Sequence, residues 1–459
     1  MKKVKSLLER RYEKKYLQCV NHTTLDPKGP GAVRIHLVPP KNNAKKDVPY
    51  LVFLNGSNIL PIKFSWAVLL SAFTTSVNGY DGEELSNFMI EMIVEETIEE
   101  TKKVYPFVKG EKLKKDLERM IDAFCDVAYG REPNEEIGAL SINEYAPFMT
   151  APHRMDLMIS SMVKEGKWNC NQKCLHCYAA GQPDANVKEL STYEWKKVIC
   201  ACREACIPQL TFTGGEPTLR DDLVELIEYS KWFVTRLNTN GVLLTKDLCK
   251  RLYDASLDSV QITLYSSVKE IHNALVGAGN FEKTVEGIKN AIEAGLNVSI
   301  NTPLCSLNSD YAETLKFAHN LGVRYVACSG LIPSGNACKE NSTITKLDEE
   351  KLFNILSEAT AFCESNQMEI SFTSPGWLSE SKLSEIGLEV PACGACLSNM
   401  AIAPDGKVIP CQSWLSSNKY MGNILEDTWE SIWNSEECEK IRLRATKLNN
   451  VCQLKDYNC

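Results

Sequence analysis

Three cysteines on one short segment are the residues best suited to do chemistry in this chain. Cys170, Cys174 and Cys177 lie in the run Trp168-Asn-Cys-Asn-Gln-Lys-Cys-Leu-His-Cys-Tyr178, with the spacing C-x3-C-x2-C. Thiolates at this spacing can ligate three irons of a cubane iron–sulfur cluster, which ordinarily takes four thiolates. One iron would therefore be open to a ligand that is not protein. The alternative is a zinc knuckle, but a fourth Cys or His at zinc-finger spacing is absent.

A second cysteine-rich region lies near the C-terminal end of the sequence. Cys393 and Cys396 are followed by Cys411, with an Asp-Gly pair between two apolar runs in the intervening segment. This pattern is a strong signal for a hairpin with a two-residue turn, which would set Ala403 opposite Val408. The hairpin would bring the third thiol back to the first two. The region therefore predicts a second metal centre, and a zinc ribbon is its alternative.

The fourth ligand of this second centre is open between two cysteines. Cys452 and Cys459 both follow the hairpin, whereas the helical context of Cys438 favours a buried thiol. The sequence does not choose between the first two.

The segment 152–333 alternates short apolar stretches with helical patterns of about 10–15 residues, which indicates βα units and a parallel sheet. Six units are too few for a closed eight-stranded barrel, so the expected fold is α/β with a partial (β/α)6 barrel. Active sites of such barrels lie at the carboxyl ends of the strands. The expected strands are Leu157–Val163, Gln209–Thr213, Val234–Asn238, Ser259–Leu264, Asn297–Thr302 and Tyr325–Ser329.

Polar and glycine-rich segments follow these strands in a fixed order. Gly-Gly-Glu-Pro ends the second strand, Asn-Thr-Asn-Gly the third, and Leu-Ile-Pro-Ser-Gly-Asn the sixth. With the cysteine triplet and the aromatic residue after it, this order resembles the radical S-adenosylmethionine (radical SAM) superfamily. The resemblance covers the whole segment and implies the partial barrel as the core, at residues 151–340.

The resemblance also implies a cofactor and its ligands. In the family the open iron of a 4Fe–4S cluster chelates the amino and carboxylate groups of SAM, and the Gly-Gly-Glu segment receives the amino group. The later strand ends hold the carboxylate, the ribose and the adenine. The residues expected to bind SAM are Tyr178, Gly214, Gly215, Glu216, Asn238, Asn240, Thr263, Ser266, Asn301, Ile332 and Pro333.

The C-terminal region, residues 341–459, resembles the SPASM/Twitch extension, which carries auxiliary iron–sulfur clusters. A full SPASM extension needs a further C-x2-C-x5-C-x3-C run, and position 455 here is lysine. The resemblance therefore implies at least one auxiliary 4Fe–4S cluster. Its expected ligands are Cys393, Cys396 and Cys411 with Cys452 or Cys459.

The first 150 residues differ in character from the rest of the chain. Residues 49–62 form two apolar runs around an Asn-Gly turn, and helical patterns follow at 64–77, 81–104 and 109–129. Strands followed by three helices ahead of such a core resemble the RiPP recognition element, a winged-helix-like α+β module that captures leader peptides. A leader would then add as a strand beside Tyr50–Leu54. A helical cap on the barrel is the alternative.

Composition and charge exclude several classes of function. The chain of 459 residues has 44% hydrophobic and 24% charged residues, which is typical of a globular protein. A net charge of −8 without a basic stripe argues against a nucleic-acid partner. The most apolar stretch, residues 64–77, is too short and too rich in Ser and Thr for a membrane span, and the basic first residues lack the apolar core of a signal peptide. Nineteen cysteines without an export signal favour a reducing cytoplasm.

Together these features predict an enzyme that cleaves SAM reductively to a 5′-deoxyadenosyl radical, with electrons from a ferredoxin- or flavodoxin-type donor. The expected substrate is a ribosomally made precursor peptide, and the expected product is a thioether or carbon–carbon crosslink. The alternatives are oxidation of a small metabolite, a tetrapyrrole or a protein residue, and a non-catalytic zinc- or iron-binding scaffold.

Overall fold

A computed structural model describes residues 5–17, 21–24, 33–41, 48–56, 58–80, 84–135, 137–138, 140–416 and 420–456. These fall into two compact units. The first comprises the N-terminal region to residue 151 together with the short segments 202–208 and 232–234, and the second holds the remainder. The expected boundary at 340/341 is not marked by this division and stays a prediction.

The first unit contains a four-stranded antiparallel sheet with the order β1-β2-β3-β4. Its core is formed by apolar residues of the sheet and of the helices that follow it. The strands are β1 (Asn21–Thr24), β2 (Arg34–Val38), β3 (Tyr50–Leu54) and β4 (Asn58–Ile62). The helices are α1 (Leu7–Tyr16), α2 (Phe64–Asn78), α3 (Asn87–Lys102), α4 (Gly110–Ala128) and α5 (Ile142–Tyr145).

The expected turn between β3 and β4 is present. Asn55 and Gly56 have positive φ angles of 51° and 71°, which these two residue types tolerate better than most. The second expected helix begins later than residue 81, because Ser86 accepts a hydrogen bond from the Met89 amide and caps α3. The expected resemblance to a recognition element stays a prediction.

The position of β3 overturns one expectation. Strand β3 pairs with β2 on one side and with β4 on the other, so it has no free edge in the described sheet. A peptide therefore cannot add as a strand beside Tyr50–Leu54. The outer strands of this sheet are β1 and β4.

The second unit is built on a ten-stranded sheet with the order β13-β12-β11-β10-β9-β8-β5-β14-β15-β16. Its six expected strands all occur in the expected order, which confirms the partial (β/α)6 barrel. The strands are β5 (Arg154–Ser160), β8 (Gln209–Gly214), β9 (Val234–Thr239), β10 (Ser259–Thr263), β11 (Asn297–Pro303), β12 (Tyr325–Ser329), β13 (Glu369–Phe372), β14 (Asn399–Ile402), β15 (Lys407–Ile409) and β16 (Gly422–Asn423). A separate hairpin after β5 consists of β6 (Val163–Lys164) and β7 (Lys167–Trp168).

Helices follow the barrel strands and shield them. They are α6 (Thr192–Glu204), α7 (Leu223–Tyr229), α8 (Lys246–Asp254), α9 (Lys269–Val276), α10 (Phe281–Glu293), α11 (Tyr311–Asn320), α12 (Glu340–Thr343), α13 (Glu349–Ser365), α14 (Glu380–Glu385), α15 (Trp429–Trp433) and α16 (Glu436–Lys447). None of the described helices is both long and apolar enough to cross a bilayer.

The central barrel strands have two different faces. From Arg236 on β9, and along β10 and β11, buried residues alternate with more accessible ones, which are mostly polar. Val260 and Ile262, for example, are buried, whereas Gln261 between them is partly accessible. Successive side chains point to opposite faces of a strand, so the polar residues share the interior face of the barrel. The interior is therefore polar, while the outer face packs against helices.

The C-terminal hairpin is part of the barrel sheet. Strand β14 runs parallel to β5 and pairs Ala401 with Asp156. The hairpin turn contains three residues instead of the expected two, because Gly406 adopts a φ of 90° and its amide donates to the carbonyl of Ala403. The register is therefore shifted by one residue, and Ile402 instead of Ala403 lies opposite Val408.

Candidate cofactor site

A single cavity at the carboxyl ends of the barrel strands contains most of the expected site residues. The cavity is open to solvent and has a volume of about 220 Å³. The expected residues that line it are Cys170, Cys174, Cys177, Tyr178, Gly214, Gly215, Glu216, Asn238, Asn240, Thr263, Asn301 and Ile332.

Two expected SAM ligands do not line this cavity. Ser266 is fully buried, and its Oγ accepts a hydrogen bond from the amide of Val268, just before α9. Pro333 follows Ile332 but is not among the lining residues. Their assignment to SAM stays a prediction with less support than that of the others.

The cysteine loop is fixed by backbone contacts from two other loops. The amide of Asn336 donates to the carbonyl of Cys177 at 2.8 Å, and its side chain donates to the carbonyl of Cys174 at 3.1 Å. On the other side, the amide of Lys173 donates to the carbonyl of Val276 at 2.9 Å. The loop is therefore held in one conformation by the protein itself.

Gly335 is needed for this close approach. It has a φ of 59°, and a Cβ atom there would lie 2.4 Å from the carbonyl oxygen of Tyr178. Gly277, which ends α9, is equally close to the carbonyl oxygen of Lys173, at 2.5 Å. Glycine is required at both positions by the cysteine loop.

Close packing within the protein also requires the two glycines of the Gly-Gly-Glu segment. A Cβ on Gly214 would lie 2.3 Å from the carbonyl oxygen of Ser160, and one on Gly215 would lie 2.8 Å from that of Ser161. They allow β8 to pack directly against the end of β5. Both residues border the cavity as well, so close packing and cavity lining coincide.

Glu216 fixes the wall of the cavity through its carboxylate. Oε1 accepts from the amide and hydroxyl of Thr218, at 3.0 and 2.6 Å, and from the hydroxyl of Thr239 at 2.6 Å. Oε2 accepts from the amide of Asn240 at 2.9 Å. Burial raises the pKa of this carboxyl, and the four hydrogen bonds oppose that rise. Glu216 therefore positions the ends of β8 and β9.

The three thiols of the loop have strongly perturbed acidity. Burial raises the pKa of Cys170 to about 12, and the neighbouring Glu216 and Cys177 add to the rise. Burial also raises the pKa of Cys174 and Cys177. Metal binding removes such protons because only the thiolate is a ligand. These thiols are therefore expected to be protonated until a metal centre binds.

The donor set fits an iron–sulfur cluster and SAM. The buried side-chain amides of Asn171 and Gln172, beside Cys170, have nitrogen atoms without hydrogen-bond partners, and such donors can bond to cluster sulfur. The Oδ1 atom of Asn238, in the cavity wall, is a buried acceptor without a partner and suits a ligand hydroxyl. Within the described ranges no three His, Cys, Asp or Glu side chains surround a single ion. A cubane takes one thiolate per iron, so its ligands need not meet at one point.

The second cysteine region also gathers thiols. The pKa of Cys411 is raised by burial and by the nearby Cys393 and Cys452. The pKa of Cys396 is raised by burial and by a hydrogen bond with Cys438. The structure thus brings together the four described cysteines of the expected set and adds Cys438.

The last expected ligand, Cys459, lies outside the described residues. Cys438 was expected to be a buried thiol, and it is indeed fully buried on α16, where Nη1 of Arg442 lies 3.5 Å from its Sγ. Its proximity to Cys396 depends on how α16 packs on the hairpin, which the sequence does not reveal.

Several lining residues were not identified from the sequence. Gln261 could have been found from the alternation along β10, because it shares the interior face with Thr263. No comparable pattern in the sequence identifies Gln412 as a lining residue. It comes from the C-terminal hairpin, directly after Cys411, and reaches the cavity because β14 pairs with β5.

Comparison with known proteins identifies two family domains in this chain. Residues 169–318 match the radical SAM superfamily, and residues 393–459 match the iron–sulfur cluster-binding domain SPASM. The AdoMet-dependent heme synthase of Oleidesulfovibrio alaskensis is 28% identical over 287 residues, 59% of this chain and 73% of that protein. The probable GTP 3′,8-cyclase of Saccharolobus solfataricus is 34% identical over 188 residues, 39% of this chain and 60% of the cyclase.

Solved structures share the fold over a greater length. Streptococcus suis SuiB bound to the precursor peptide SuiA matches with a TM-score of 0.57 at 13% identity, and the match covers 86% of this chain and 87% of SuiB. The enzyme anSMEcpe with bound AdoMet matches with a TM-score of 0.52 at 17% identity, covering 65% of this chain and 85% of anSMEcpe. The chain thus contains a radical SAM domain over residues 169–318, the kind of domain that binds a 4Fe–4S cluster and SAM, and a SPASM domain over residues 393–459, the kind that binds auxiliary iron–sulfur clusters.

Proposed function

We propose that this enzyme modifies a ribosomally made precursor peptide and forms a thioether or carbon–carbon crosslink in it. When bound, the cluster and SAM supply a 5′-deoxyadenosyl radical that removes a hydrogen atom from the substrate. The chain's own residues would hold SAM and exclude water, with Cys170, Cys174 and Cys177 as cluster ligands and Asn238 as an acceptor for a SAM hydroxyl.

The observation that carries the peptide substrate is the N-terminal unit. The unit has its own antiparallel sheet, helices and core, and it precedes the barrel in the chain. SuiB, which shares the fold over 86% of this chain, has been seen with its precursor peptide bound. A module of this kind supports recognition of a substrate larger than a metabolite.

The outer strand β4 is the edge on which a leader peptide would add. Pro61 lies opposite Leu51 of β3 and has no N–H group, so its nitrogen side faces away from β3. Alternation then turns Ile59 outward as well. The edge offers one outward N–H donor, on Ile59, and the carbonyls of Ile59 and Pro61 as acceptors. Leader binding through main-chain hydrogen bonds would therefore depend on the Ile59 amide.

A pair of substitutions in the full-length enzyme tests this assignment. Ile59→Pro removes the one outward donor, whereas the matched control Ile59→Ala keeps it and shortens the same side chain. With the precursor encoded beside the gene, mass spectrometry should show loss of two hydrogen atoms for each crosslink formed. We expect Ile59→Pro to raise KM about tenfold or more relative to Ile59→Ala, at unchanged SAM cleavage. Equal KM values would refute leader binding at this edge.

A second function is supported by the relatives. The heme synthases of Oleidesulfovibrio alaskensis and Methanosarcina barkeri are 28% and 27% identical to this chain. A tetrapyrrole or another metabolite is therefore the alternative substrate. SAM-dependent conversion of a porphyrin, with no change in the mass of any peptide encoded nearby, would favour it.

A further inference from the structure

The barrel interior beneath the cofactor cavity contains a charged layer that binding of SAM does not use. Arg236 lies two residues before Asn238 on β9 and therefore shares its interior face. A rise of about 3.3 Å per residue puts it about 7 Å deeper along the strand. Asn238 lines the cavity, and Arg236 does not.

Arg236 has no counter-ion of its own. Its guanidinium makes no hydrogen bond or ion pair with any residue in the described part of the chain, and its Nε atom is buried without a partner. The nearby Asp156 is already paired, since Nε of Arg154 lies 3.0 Å from its Oδ1. Arg154 and Arg236 carry two positive charges and Asp156 carries one negative charge, so one positive charge is in excess.

Burial and the charge of Arg154 lower the pKa of Arg236, and Asp156 opposes this. A guanidinium nevertheless stays charged at neutral pH. The side chain of Arg236 is partly accessible, but its Nε is shielded from water without a partner, and such groups in proteins are usually paired or bound to a ligand.

Other polar atoms on the same strands are unsatisfied too. The hydroxyls of Thr211 on β8 and Ser299 on β11, like Oδ2 of Asp156, are buried without hydrogen-bond partners. Thr211 is level with Asp156 of β5, and Ser299 is level with Gln261 of the cavity wall. The layer therefore offers one fork-shaped cation and one hydroxyl donor, Thr211, while Ser299, in register with Gln261 and Asn238, adds a second hydroxyl at the level of the cavity.

We propose that this layer is a carboxylate subsite centred on Arg236, which binds an anionic group of the substrate and so fixes the reacting carbon at the level of the cavity. A planar carboxylate matches the guanidinium fork and can accept from hydroxyls at the same time. The inference rests on the proposed function, because it assumes a substrate that extends into the barrel. It adds that this substrate carries a carboxylate about 7 Å from the reacting position.

The carboxylate has two sources: an Asp or Glu side chain of a peptide, or a free carboxylic acid. Isothermal titration of the full-length, cluster-loaded enzyme with SAM distinguishes them. The probes are glutarate against its neutral isostere glutaramide, and N-acetyl-Gly-Glu-Gly-amide against the same peptide with Gln. A preference of the acid over its amide in the peptide pair assigns the subsite to peptides, and a preference confined to glutarate assigns it to metabolites.

We expect at least one acid to bind about tenfold to a hundredfold more tightly than its amide. This is the difference in affinity expected when a charge-assisted hydrogen bond is lost. Arg236→Gln should abolish this preference, and Arg236→Lys should keep part of it. The control Arg251→Gln, on an exposed arginine of α8, should leave it unchanged.

Three results would overturn the subsite: acid and amide that bind alike to the unmutated enzyme, no binding of any probe in the millimolar range, or full preference in Arg236→Gln. The first two need no variant, so a misfolded Arg236→Gln leaves the test intact. Formation of 5′-deoxyadenosine in the same samples reports the radical chemistry separately. Equal binding of acid and amide to the unmutated enzyme, with intact SAM cleavage, would reject the subsite and leave the proposed function standing.

Discussion

Substitution of Gly335 by alanine should show how strongly the protein itself shapes the cysteine loop. The residue has a φ of 59°, and its Cβ would lie 2.4 Å from the carbonyl oxygen of Tyr178 and 2.5 Å from that of Cys177. Real Cβ atoms essentially never come closer than 3.0 Å, so these carbonyls must move by about 0.6 Å. The movement displaces the residue that carries the third cluster thiol.

The expected cost follows from two contributions. A left-handed conformation costs alanine about 1 kcal/mol more than glycine. The displaced loop also weakens the hydrogen bonds from Asn336 to the carbonyls of Cys177 and Cys174, each worth about 1 kcal/mol net. We therefore expect Gly335→Ala to lower the free energy of unfolding by about 3 kcal/mol.

Gly181 provides a matched control close to the same loop. It has a φ of 73°, but its Cβ would meet nothing within 4 Å. Gly181→Ala should therefore cost only the conformational part, about 1 kcal/mol. The difference between the two variants isolates the contact with the cysteine loop.

Urea unfolding of the metal-free variants, followed by circular dichroism, measures this difference directly. Iron per chain after anaerobic reconstitution measures its effect on the site. We expect Gly335→Ala to lose the iron of one cluster and Gly181→Ala to retain all of it. Equal unfolding midpoints with full iron in both variants would refute the view that Gly335 shapes the cluster loop.

Three further predictions concern the expected cluster ligands and a buried histidine. Cys174→Ala should abolish formation of 5′-deoxyadenosine under dithionite, and retained activity would contradict its role as a ligand. Simultaneous replacement of Cys393, Cys396 and Cys411 by alanine should leave the iron of one cluster with uncoupled SAM cleavage, and unchanged iron content would exclude them as ligands. Burial lowers the pKa of His272 from 6.5 to about 4. Between these two pH values the unfolded chain binds a proton at this residue and the folded chain does not. The free energy of unfolding should fall by up to about 3 kcal/mol between pH 6.5 and 4, and His272→Gln should remove that part of the slope in urea titrations.

Local patterns were sufficient to predict the barrel strands. Short apolar strands followed by amphipathic helices carry their own signal, and the ends of parallel strands necessarily meet at one edge of the sheet. For that reason Asn238, Thr263 and Asn301 could be placed in one site although they are far apart in sequence. The alternation of polar and apolar residues around Arg236 and Ser299 carries a signal for the polar interior face as well, but that face was not predicted.

Local patterns could not predict which strands pair when they are far apart in sequence. The position of β3 inside its sheet depended on β1 and β2, which were not predicted: β1 contains no apolar residue, and β2 is a short alternation of five residues followed by two prolines. The insertion of β14 beside β5 joins residues 399–402 to residues 154–157, and no local feature predicts that pairing. Gln412 was missed as a consequence. The hairpin register was missed because a three-residue loop and a two-residue loop share the same Asp-Gly signal.

The place of β14 in the sheet has a consequence for how the enzyme is made. Strand β5, which leads directly into the cysteine loop, has β8 on one side and β14 on the other. During synthesis the β8 side can form early, but the other side stays vacant until residues 399–402 have left the ribosome. Throughout that interval the loop lacks the wall that Ala401, Ile409 and Leu415 later provide. The three thiols are therefore more accessible to an iron–sulfur carrier in the nascent chain than in the folded protein, where the hairpin covers one side of the loop.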